Sequence, residues 1–453
     1  MKKPAHGTPG GQSGWRQFQE ELQGISRRGT GRRAPLGNRN SRLLVLLALA
    51  ILAFEGLWYF HPPAVPLPEA GPPRTEVSGA APADEITDHG PALVGEISPA
   101  LLTAATGSSV RFAHQGQPHT AFLTFDKEME ARLESRLDTR YSVEVAMAAV
   151  EPASGKVVVL TGWDGKSVSR VPAFSHLFPA ASVFKIVTAA AAMEKCGVTP
   201  DSEMSYIGRQ HTLYRSQIKE GRQGNEITFS DSFAHSVNPV FGKLGCELGA
   251  QTLAEFAGSF GFNRAPSGPL EVTPSVFQAP DTPFAAAEVG SGFNRRTRIT
   301  ALHGALLAAA VLNGGAMPEP VFVERVESAS GKVVFRAPSR SPTHPACQKE
   351  TADRLRDLMA KTVESGTARR PFLRARQDVV LKNLVIGAKT GSLNNDDGSI
   401  RYDWFVGFAE EKSGERKLAV AVLAAHGEMM GTRSGEYARL IIRSYFEAPK
   451  KSS

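Results

Sequence analysis

Residues 179–197 read PAASVFKIVTAAAAMEKCG, and this stretch is the most informative in the chain. The apolar run predicts a helix over Ser182–Lys195 that ends at Gly197, a residue type typical of helix C-caps. Residues three apart lie on one helical face, so the side chains of Ser182 and Lys185 can meet. A serine hydroxyl becomes a strong nucleophile when a neighbour takes its proton, and burial among apolar residues lowers the pKa of a lysine towards that role. The backbone N–H groups of a helix N-terminus can in turn hold an oxyanion.

Two further short motifs accompany this one. Ser236-Val-Asn238 stands just before an apolar helix predicted over Asn238–Leu248, which ends at Gly249. Lys389-Thr390-Gly391 closes a strand predicted over Leu384–Thr390. The three motifs therefore occupy a helix start, a loop before a helix and a strand end.

Each motif alone is weak, because the chain contains decoys. Ser216-Gln-Ile-Lys219 also fits the pattern SxxK, and Ser392-Leu-Asn394 also fits SxN. Ser216 lies in the polar run RSQIKEGRQGNE, with no apolar helix behind it to desolvate a lysine, so a solvated loop explains it better. The ordered set of SxxK, SxN and KTG is the signature of penicillin-interacting serine enzymes.

With these motifs in place, residues 121–446 resemble the transpeptidase domain of penicillin-binding proteins. Four further stretches support the resemblance: AFLTFDKEMEARLESRL (121–137), AMAAVEPASGKVVVLTG (146–162), VESGTA (363–368) and DWFVGFA (403–409). They are similar to the opening strand and helix, the first hairpin, the helix end before the KTG strand and the strand after it. The resemblance implies β-lactam antibiotics and peptidoglycan stem peptides ending in D-Ala-D-Ala as ligands, with no metal and no cofactor.

The resemblance also implies a role for each motif residue. Ser182 is the nucleophile and Lys185 its general base, although the residue that takes the proton is disputed in related enzymes. Ser236 moves the proton towards the leaving amine, and Asn238 holds Lys185 and the substrate backbone. Four further residues act on the substrate. Lys389 and Thr390 set the electrostatics for the substrate's terminal carboxylate, and Gly391 leaves room for the peptide. The backbone N–H groups of Ser182 and Ser392 form the oxyanion hole.

Two departures from the commonest family pattern leave the acceptor open. Pro-Ala-Ala precedes Ser182 where Pro-Gly is frequent, and Ser392 follows KTG where threonine is usual in transpeptidases. A D,D-transpeptidase is the leading interpretation. A D,D-carboxypeptidase, a class D-like β-lactamase and a non-catalytic cell-wall scaffold are the alternatives, although class D enzymes have valine where this chain has Asn238.

The remaining pattern predicts an α/β (α+β) fold. Further helices are expected over Ala301–Asn313, Glu350–Glu364 and Glu436–Phe446, and strands over Tyr141–Val150, Val157–Leu160, Trp404–Ala409 and Lys417–Ala425. Strands at both ends of the domain, joined by short turns, predict one mainly antiparallel five-stranded sheet with helices on its faces. This arrangement is β-lactamase/transpeptidase-like, and we expect one transmembrane helix before it.

That helix is predicted from the N-terminal pattern. Residues 1–42 hold nine of the 52 Lys and Arg residues but two of the 45 Asp and Glu residues, so residues 43–453 carry 43 of each sign. Residues 43–60, LLVLLALAILAFEGLWYF, span about 27 Å as a helix, close to the thickness of a bilayer core. The preceding positive charge places the N-terminus in the cytoplasm and the rest outside the inner membrane. A body without net positive charge gives no support for nucleic-acid binding.

The domains expected are thus a basic tail (1–42), the span (43–60), a Pro/Ala-rich linker (61–94) and a transpeptidase-like domain (95–448), with no room for a glycosyltransferase module. A separate glycosyltransferase is a further candidate partner.

Three cysteines exclude a disulfide scaffold. A pair between Cys196 and Cys246, which each end a helix beside a motif, stays open. The 11 histidines show no metal-ligand spacing.

Overall fold

The structure, a computed structural model, describes residues 90–219 and 224–448. The predicted basic tail, the predicted span over residues 43–60 and most of the predicted linker lie outside these ranges. No helix within the described ranges has both the length and the apolar character needed to cross a bilayer.

Sixteen strands occur in the described residues, several of them only two to four residues long. They are β1 (Ser109–His114), β2 (Gln117–Leu123), β3 (Ser142–Val150), β4 (Val157–Trp163), β5 (Val168–Ser169), β6 (Phe178–Pro179), β7 (Glu203–Tyr206), β8 (Asn225–Thr228), β9 (Arg298–Ile299), β10 (Ala316–Pro318), β11 (Val323–Ser328), β12 (Val333–Arg336), β13 (Thr343–Pro345), β14 (Leu384–Asn394), β15 (Arg401–Glu411) and β16 (Lys417–His426).

The helices of the same ranges alternate with these strands. They are α1 (Gly90–Gly95), α2 (Pro99–Ala104), α3 (Lys127–Glu134), α4 (Val171–Phe174), α5 (Lys185–Lys195), α6 (Phe229–Ala234), α7 (Asn238–Ser259), α8 (Pro283–Ser291), α9 (Ala301–Leu312), α10 (Lys349–Glu364) and α11 (Ser434–Glu447).

The main sheet has the strand order β14-β15-β16-β3-β4-β5, and every neighbouring pair is antiparallel. The five predicted strands are all present, but the predicted total of five is wrong. The sixth strand, β5, has two residues, too few to show any alternation in the sequence. The strand that carries KTG, β14, lies at one edge of the sheet, where its outer side has no strand partner within the described residues.

Both faces of this sheet are buried, which explains the continuous apolar run LAVAVLAA in β16. Ala419, Ala421 and Leu423 pack into one core cluster with α5 and α9. Leu418, Val420 and Val422 pack into the other cluster with α3 and α11. Successive residues of a strand point to opposite faces, so each face receives every second side chain. The two helical layers therefore sandwich the sheet, as the α+β prediction requires.

Glycines interrupt the helices where the sequence predicts. Gly249, with φ +70° and ψ 176°, breaks α7 into two helical parts, so the predicted helix over Asn238–Leu248 is confirmed. Gly314, with φ +63°, follows α9. At the N-terminal side, α1 buries Leu93 in the first core cluster. The folded part therefore includes the last residues of the segment that the sequence assigns to the linker.

The sequence did not predict a second sheet, of strand order β1-β2-β11-β12. It joins two hairpins that are about 200 residues apart in the chain, and local periodicity carries no information about such pairing.

The structure contains no Cys196–Cys246 disulfide within the described residues. Cys196, Cys246 and Cys347 are all free thiols.

Candidate active site

The Ser182 turn is tighter than the predicted helix start. Residues Ala181–Phe184 form a 3₁₀ turn, and α5 begins only at Lys185. In a 3₁₀ turn the side chains at i and i+3 eclipse one another. Ser182 and Lys185 are therefore superimposed along the axis, and the Lys185 Nζ lies 2.8 Å from the Ser182 Oγ.

Three neighbours hold this turn in place. The indole Nε1 of buried Trp404, on β15, donates a hydrogen bond to the Pro179 carbonyl at 2.9 Å. The backbone N–H of Ala180 donates to the Thr297 carbonyl at 2.9 Å. Gly292 lies so close that a Cβ there would come 2.0 Å from the Ala181 carbonyl oxygen. The turn also stores strain, because Ala181 has φ +47°, a left-handed conformation that disfavours residues with a Cβ.

The second motif encloses the amine of Lys185. Ser236 has φ +59°, and this left-handed turn between α6 and α7 directs both its hydroxyl and its carbonyl at Lys185. The Lys185 Nζ lies 3.1 Å from the Ser236 Oγ, 3.3 Å from the Ser236 carbonyl and 2.7 Å from the Asn238 Oδ1. Asn238 is itself clamped: its Nδ2 donates to the His211 carbonyl at 3.0 Å, and its backbone N–H donates to the Gln210 carbonyl.

The third motif completes a polar chain. The Lys389 Nζ lies 2.9 Å from the Ser236 Oγ and 3.1 Å from the Thr390 carbonyl. The Ser236 hydroxyl thus bridges the two lysine amines. The Thr390 hydroxyl contacts the Thr367 hydroxyl, from the VESGTA stretch. The resulting order is Ser182, Lys185, Ser236, Lys389.

Gly391 and Ser392 lie next along the edge strand. A Cβ on Gly391 would come 3.2 Å from the Ala181 Cβ and 3.3 Å from the Ser182 backbone nitrogen. Gly391 therefore lets the nucleophile turn rest directly on β14, a packing role in addition to the room for substrate expected from the sequence. The exposed Ser392 faces Asp403 on β15, whose buried carboxylate accepts a bidentate pair of hydrogen bonds from Arg433.

Both lysine amines are shielded from water. Lys185 and Lys389 have no solvent-exposed surface, and their Nζ atoms lie 5.5 Å from the ring centroids of Phe241 and Phe233, respectively. Burial, and then the neighbouring charge of Lys389, lowers the pKa of Lys185 well below its ordinary value. Burial alone lowers the pKa of Lys389 to about 7. The lowered pKa disfavours the ammonium form of Lys185, and the neutral amine has a lone pair that can accept the proton of the Ser182 hydroxyl.

The structure thus brings together the side chains of Ser182, Lys185, Ser236, Asn238 and Lys389, with Thr390, Gly391 and Ser392 along the adjoining strand edge. The decoy motif stays apart, because Ser216 and Lys219 are both exposed. Sequence reasoning missed the supporting residues, since neither a backbone carbonyl that acts as acceptor nor the close approach of a distant glycine can be read from local sequence. The residues missed are Gln210, His211, Gly292 and Thr297.

Comparison with known proteins shows the family of the chain. Residues 145–445 match the family described as the penicillin-binding protein transpeptidase domain. The chain belongs to this family. The peptidoglycan D,D-transpeptidase PbpA of Mycolicibacterium smegmatis is 26% identical over 319 residues, which cover 62% of each chain. The present chain therefore spans less than two thirds of the length of that relative.

Solved transpeptidase structures share the fold. The D,D-transpeptidase domain of a peptidoglycan glycosyltransferase from Eggerthella lenta superimposes with a TM-score of 0.59 at 22% identity, covering 72% of this chain and 82% of that one. The imipenem acyl-enzyme complex of penicillin-binding protein A from Mycobacterium tuberculosis gives a TM-score of 0.57 at 20% identity, covering 72% and 79%. The transpeptidase fold predicted from the motifs is confirmed.

The contact between Gly391 and the nucleophile turn can be tested by a double-mutant cycle. We expect Gly391→Ala to lower the free energy of unfolding by about 1–3 kcal/mol, because the new methyl group meets Ala181. Ala181→Gly alone should be nearly neutral, since relief of the left-handed strain and the added entropy of the unfolded chain oppose each other. In the double variant, the cost of Gly391→Ala should fall by at least about 0.5 kcal/mol.

The matched control is Gly387→Ala on the same strand, where the new Cβ would meet the Phe408 ring instead. Ala181→Gly should not reduce its cost. Chemical denaturation measures the free energy of unfolding of wild type, the three single variants and the two double variants. If Gly391→Ala lowered this free energy equally with and without Ala181→Gly, the contact would be ruled out.

The lowered pKa of Lys389 predicts a pH dependence of stability. In the unfolded chain this amine has an ordinary pKa of about 10.5, whereas in the folded state its pKa is about 7. Between these values the unfolded state binds more protons, so the contribution of Lys389 to stability rises with pH across this window. We therefore expect the stability advantage of Lys389→Met over wild type to shrink between pH 7 and 10, by an amount on the order of a few kcal/mol.

Thermal or denaturant unfolding across this pH range provides the measurement. Using the difference between two proteins cancels the titrating groups that do not interact with Lys389, whereas Lys185, whose pKa the charge of Lys389 lowers, contributes to the same difference. Lys332→Met, at an exposed position, serves as the control. A Lys389→Met advantage that does not vary with pH would contradict a neutral buried amine.

Proposed function

We propose that the chain is a penicillin-sensitive D,D-transpeptidase that cross-links peptidoglycan through a Ser182 acyl-enzyme. The observation that carries the proposal is the water-shielded Lys185 amine, whose pKa is lowered by burial, 2.8 Å from the Ser182 hydroxyl. The name of the M. smegmatis relative supports the same activity and substrate.

Acylation follows from the polar chain. Lys185 takes the Ser182 proton as the oxygen attacks the carbonyl between the two D-Ala residues, and the backbone N–H groups of Ser182 and Ser392 stabilise the oxyanion. Ser236 lies between the two lysine amines, at 3.1 and 2.9 Å, and passes a proton to the departing D-Ala amine. An acceptor amine then attacks the ester, and the same groups act in reverse.

The other motif residues bind the substrate. Asn238 Nδ2 donates one N–H to the His211 carbonyl, and its second N–H would bind the peptide carbonyl of the substrate. Lys389 and Thr390 attract the terminal carboxylate from the edge strand, and Ser392 adds a hydroxyl beside them. Because Lys389 has a pKa near 7, its attraction for this carboxylate weakens above neutral pH.

The hydrolytic alternatives are a D,D-carboxypeptidase and a class D-like β-lactamase. Hydrolysis requires a group that activates water beside the acyl ester. The Lys185 amine, 2.8 Å from the Ser182 hydroxyl, can take a proton from water as well as from an acceptor amine, so this contact is compatible with hydrolysis and with transfer. Asn238, which hydrogen-bonds Lys185 at the position where class D enzymes have valine, argues against the class D-like β-lactamase.

Labelled penicillin tests the acylation step. Wild type should bind one label per chain, mapped to Ser182, and release it over many minutes. Ser182→Ala should bind none, and Lys185→Met should acylate at least about 100-fold more slowly because it lacks the base. Ser216→Ala, in the decoy motif, should label like wild type.

Two outcomes would redirect the assignment. Equal labelling of wild type and Ser182→Ala, or none in either, would favour a non-catalytic scaffold. Release within seconds would favour a β-lactamase.

We further propose that residues 43–60 anchor the chain in the inner membrane, with residues 1–42 in the cytoplasm. A linker would then lead to α1, which begins at Gly90, and the catalytic unit would lie outside, where a separate glycosyltransferase would supply glycan strands. The apolar run and the basic flank support this topology. Phosphatase and fluorescent-protein fusions after residue 95 test it, and only the phosphatase fusion should be active. An active fluorescent fusion would contradict the topology.

A further inference from the structure

A basic surface segment separates α10 from the KTG strand and has no part in the site described above. Residues 368–383 read ARRPFLRARQDVVLKN and form three short 3₁₀ helices, Arg370–Phe372, Ala375–Gln377 and Leu381–Asn383. We call this segment the basic ridge. Its basic residues are all exposed, and they are Arg369, Arg370, Arg374, Arg376 and Lys382.

The charge of the ridge is not neutralised by neighbours. None of its five basic residues forms an ion pair within the described ranges, 90–219 and 224–448. Its single acidic residue, Asp378, is engaged elsewhere, since its carboxylate pairs with Arg439 at 3.1 Å and Arg443 at 3.2 Å on α11. The ridge therefore presents an uncompensated positive surface.

Two large apolar side chains project from this positive surface. Val379 is 68% exposed and Leu373 is 59% exposed, among the highest values for large apolar residues in the described part of the chain. Leu373 directly precedes Arg374, and both apolar side chains belong to the segment that carries the five exposed cations, so positive charge and exposed apolar surface occur together in the ridge.

The ridge is held in a fixed shape beneath these side chains. Phe372 is buried, and its ring centroid lies 5.9 Å from that of Phe405, which is paired with Thr390 in the sheet. Leu381 is also buried in the same core cluster. An ordered backbone therefore carries the arginines and the exposed side chains of Leu373 and Val379.

From this combination we infer that the basic ridge docks on the surface of an anionic phospholipid bilayer. Each Lys or Arg near such a surface contributes about a fivefold gain in affinity, and exposed apolar side chains add to this by entering the boundary between headgroups and acyl chains. A polyanion without acyl chains would be recognised by the arginines alone and would leave Leu373 and Val379 in water. The apolar tips therefore favour a lipid surface over a soluble polyanion.

Docking in this way would orient the catalytic unit. The ridge starts next to Thr367, whose hydroxyl contacts Thr390 in the KTG motif. A docked ridge would thus hold the open edge of β14 close to the membrane, independently of whether Ser182 is acylated.

Hydrogen–deuterium exchange of the full chain in nanodiscs tests the inference, because it reports on residues 368–383 separately from the N-terminal region. The bilayers are phosphatidylcholine alone, or equal parts of phosphatidylcholine and phosphatidylglycerol. We expect slower exchange of the ridge in the anionic bilayer, lost at high salt. Arg370→Gln/Arg374→Gln/Arg376→Gln should weaken docking by about 100-fold, and Leu373→Ser/Val379→Ser should weaken it while keeping the salt dependence.

The matched control removes three exposed charges from another surface, Lys332→Gln/Arg336→Gln/Arg340→Gln, and should exchange like wild type. Labelled-penicillin uptake confirms that each variant is folded. Equal exchange in both bilayers, or an equal loss in the control, would overturn the inference. A third outcome would also overturn it. If long-chain polyphosphate slowed the exchange of the ridge as strongly as the bilayer does, and Leu373→Ser/Val379→Ser did not change this effect, the ridge would recognise charge alone.

Discussion

The site depends on one buried amine that has to stay neutral. Lys185 can accept a proton from Ser182 only because its ammonium form is disfavoured, and that requires complete exclusion of water, the apolar wall of Phe241 and a second amine nearby. A buried polar group without partners is costly, so the same amine is surrounded by the oxygens of Ser182, Ser236 and Asn238. Desolvation and full hydrogen bonding are thus required together, and they restrict the position of every neighbouring element.

Three elements from distant parts of the chain meet that restriction. The 3₁₀ turn before α5 supplies the serine, a left-handed turn between α6 and α7 supplies the bridging hydroxyl, and the edge strand β14 supplies the second lysine. Backbone contacts hold them in register, since Gly292 and Gly391 let two other segments approach the nucleophile turn where a side chain would collide. The strained φ of Ala181 is tolerated because Trp404 and Thr297 bind the residues on its N-terminal side.

The segment between α10 and β14 connects the site with the outer surface. At one end Thr367 contacts Thr390, and a few residues later Phe372 packs under β15, so this stretch is part of the wall of the sheet. Its outward side chains are nevertheless arginines and exposed aliphatic residues, which contribute nothing to the interior. The same backbone therefore has an inner side determined by packing on the catalytic strand and an outer side available for contact with another surface.

Most of the architecture could be predicted from local sequence. The alternating and apolar runs predicted the five long strands of the main sheet, and glycines marked the ends of α5, α9 and the first part of α7, because periodicity and C-cap chemistry are local properties. The ordered motifs predicted the family and named the residues that converge in the cleft. The two-residue strand β5, the second sheet and the supporting carbonyls of Gln210, His211 and Thr297 could not be predicted, since backbone pairing between distant segments is not encoded in residue type. The sequence by itself determined which hydroxyl and which amines are available. Only the tertiary structure decided that they form one polar chain whose two amines are shielded from water, because desolvation is a property of everything packed around a group and not of the group itself.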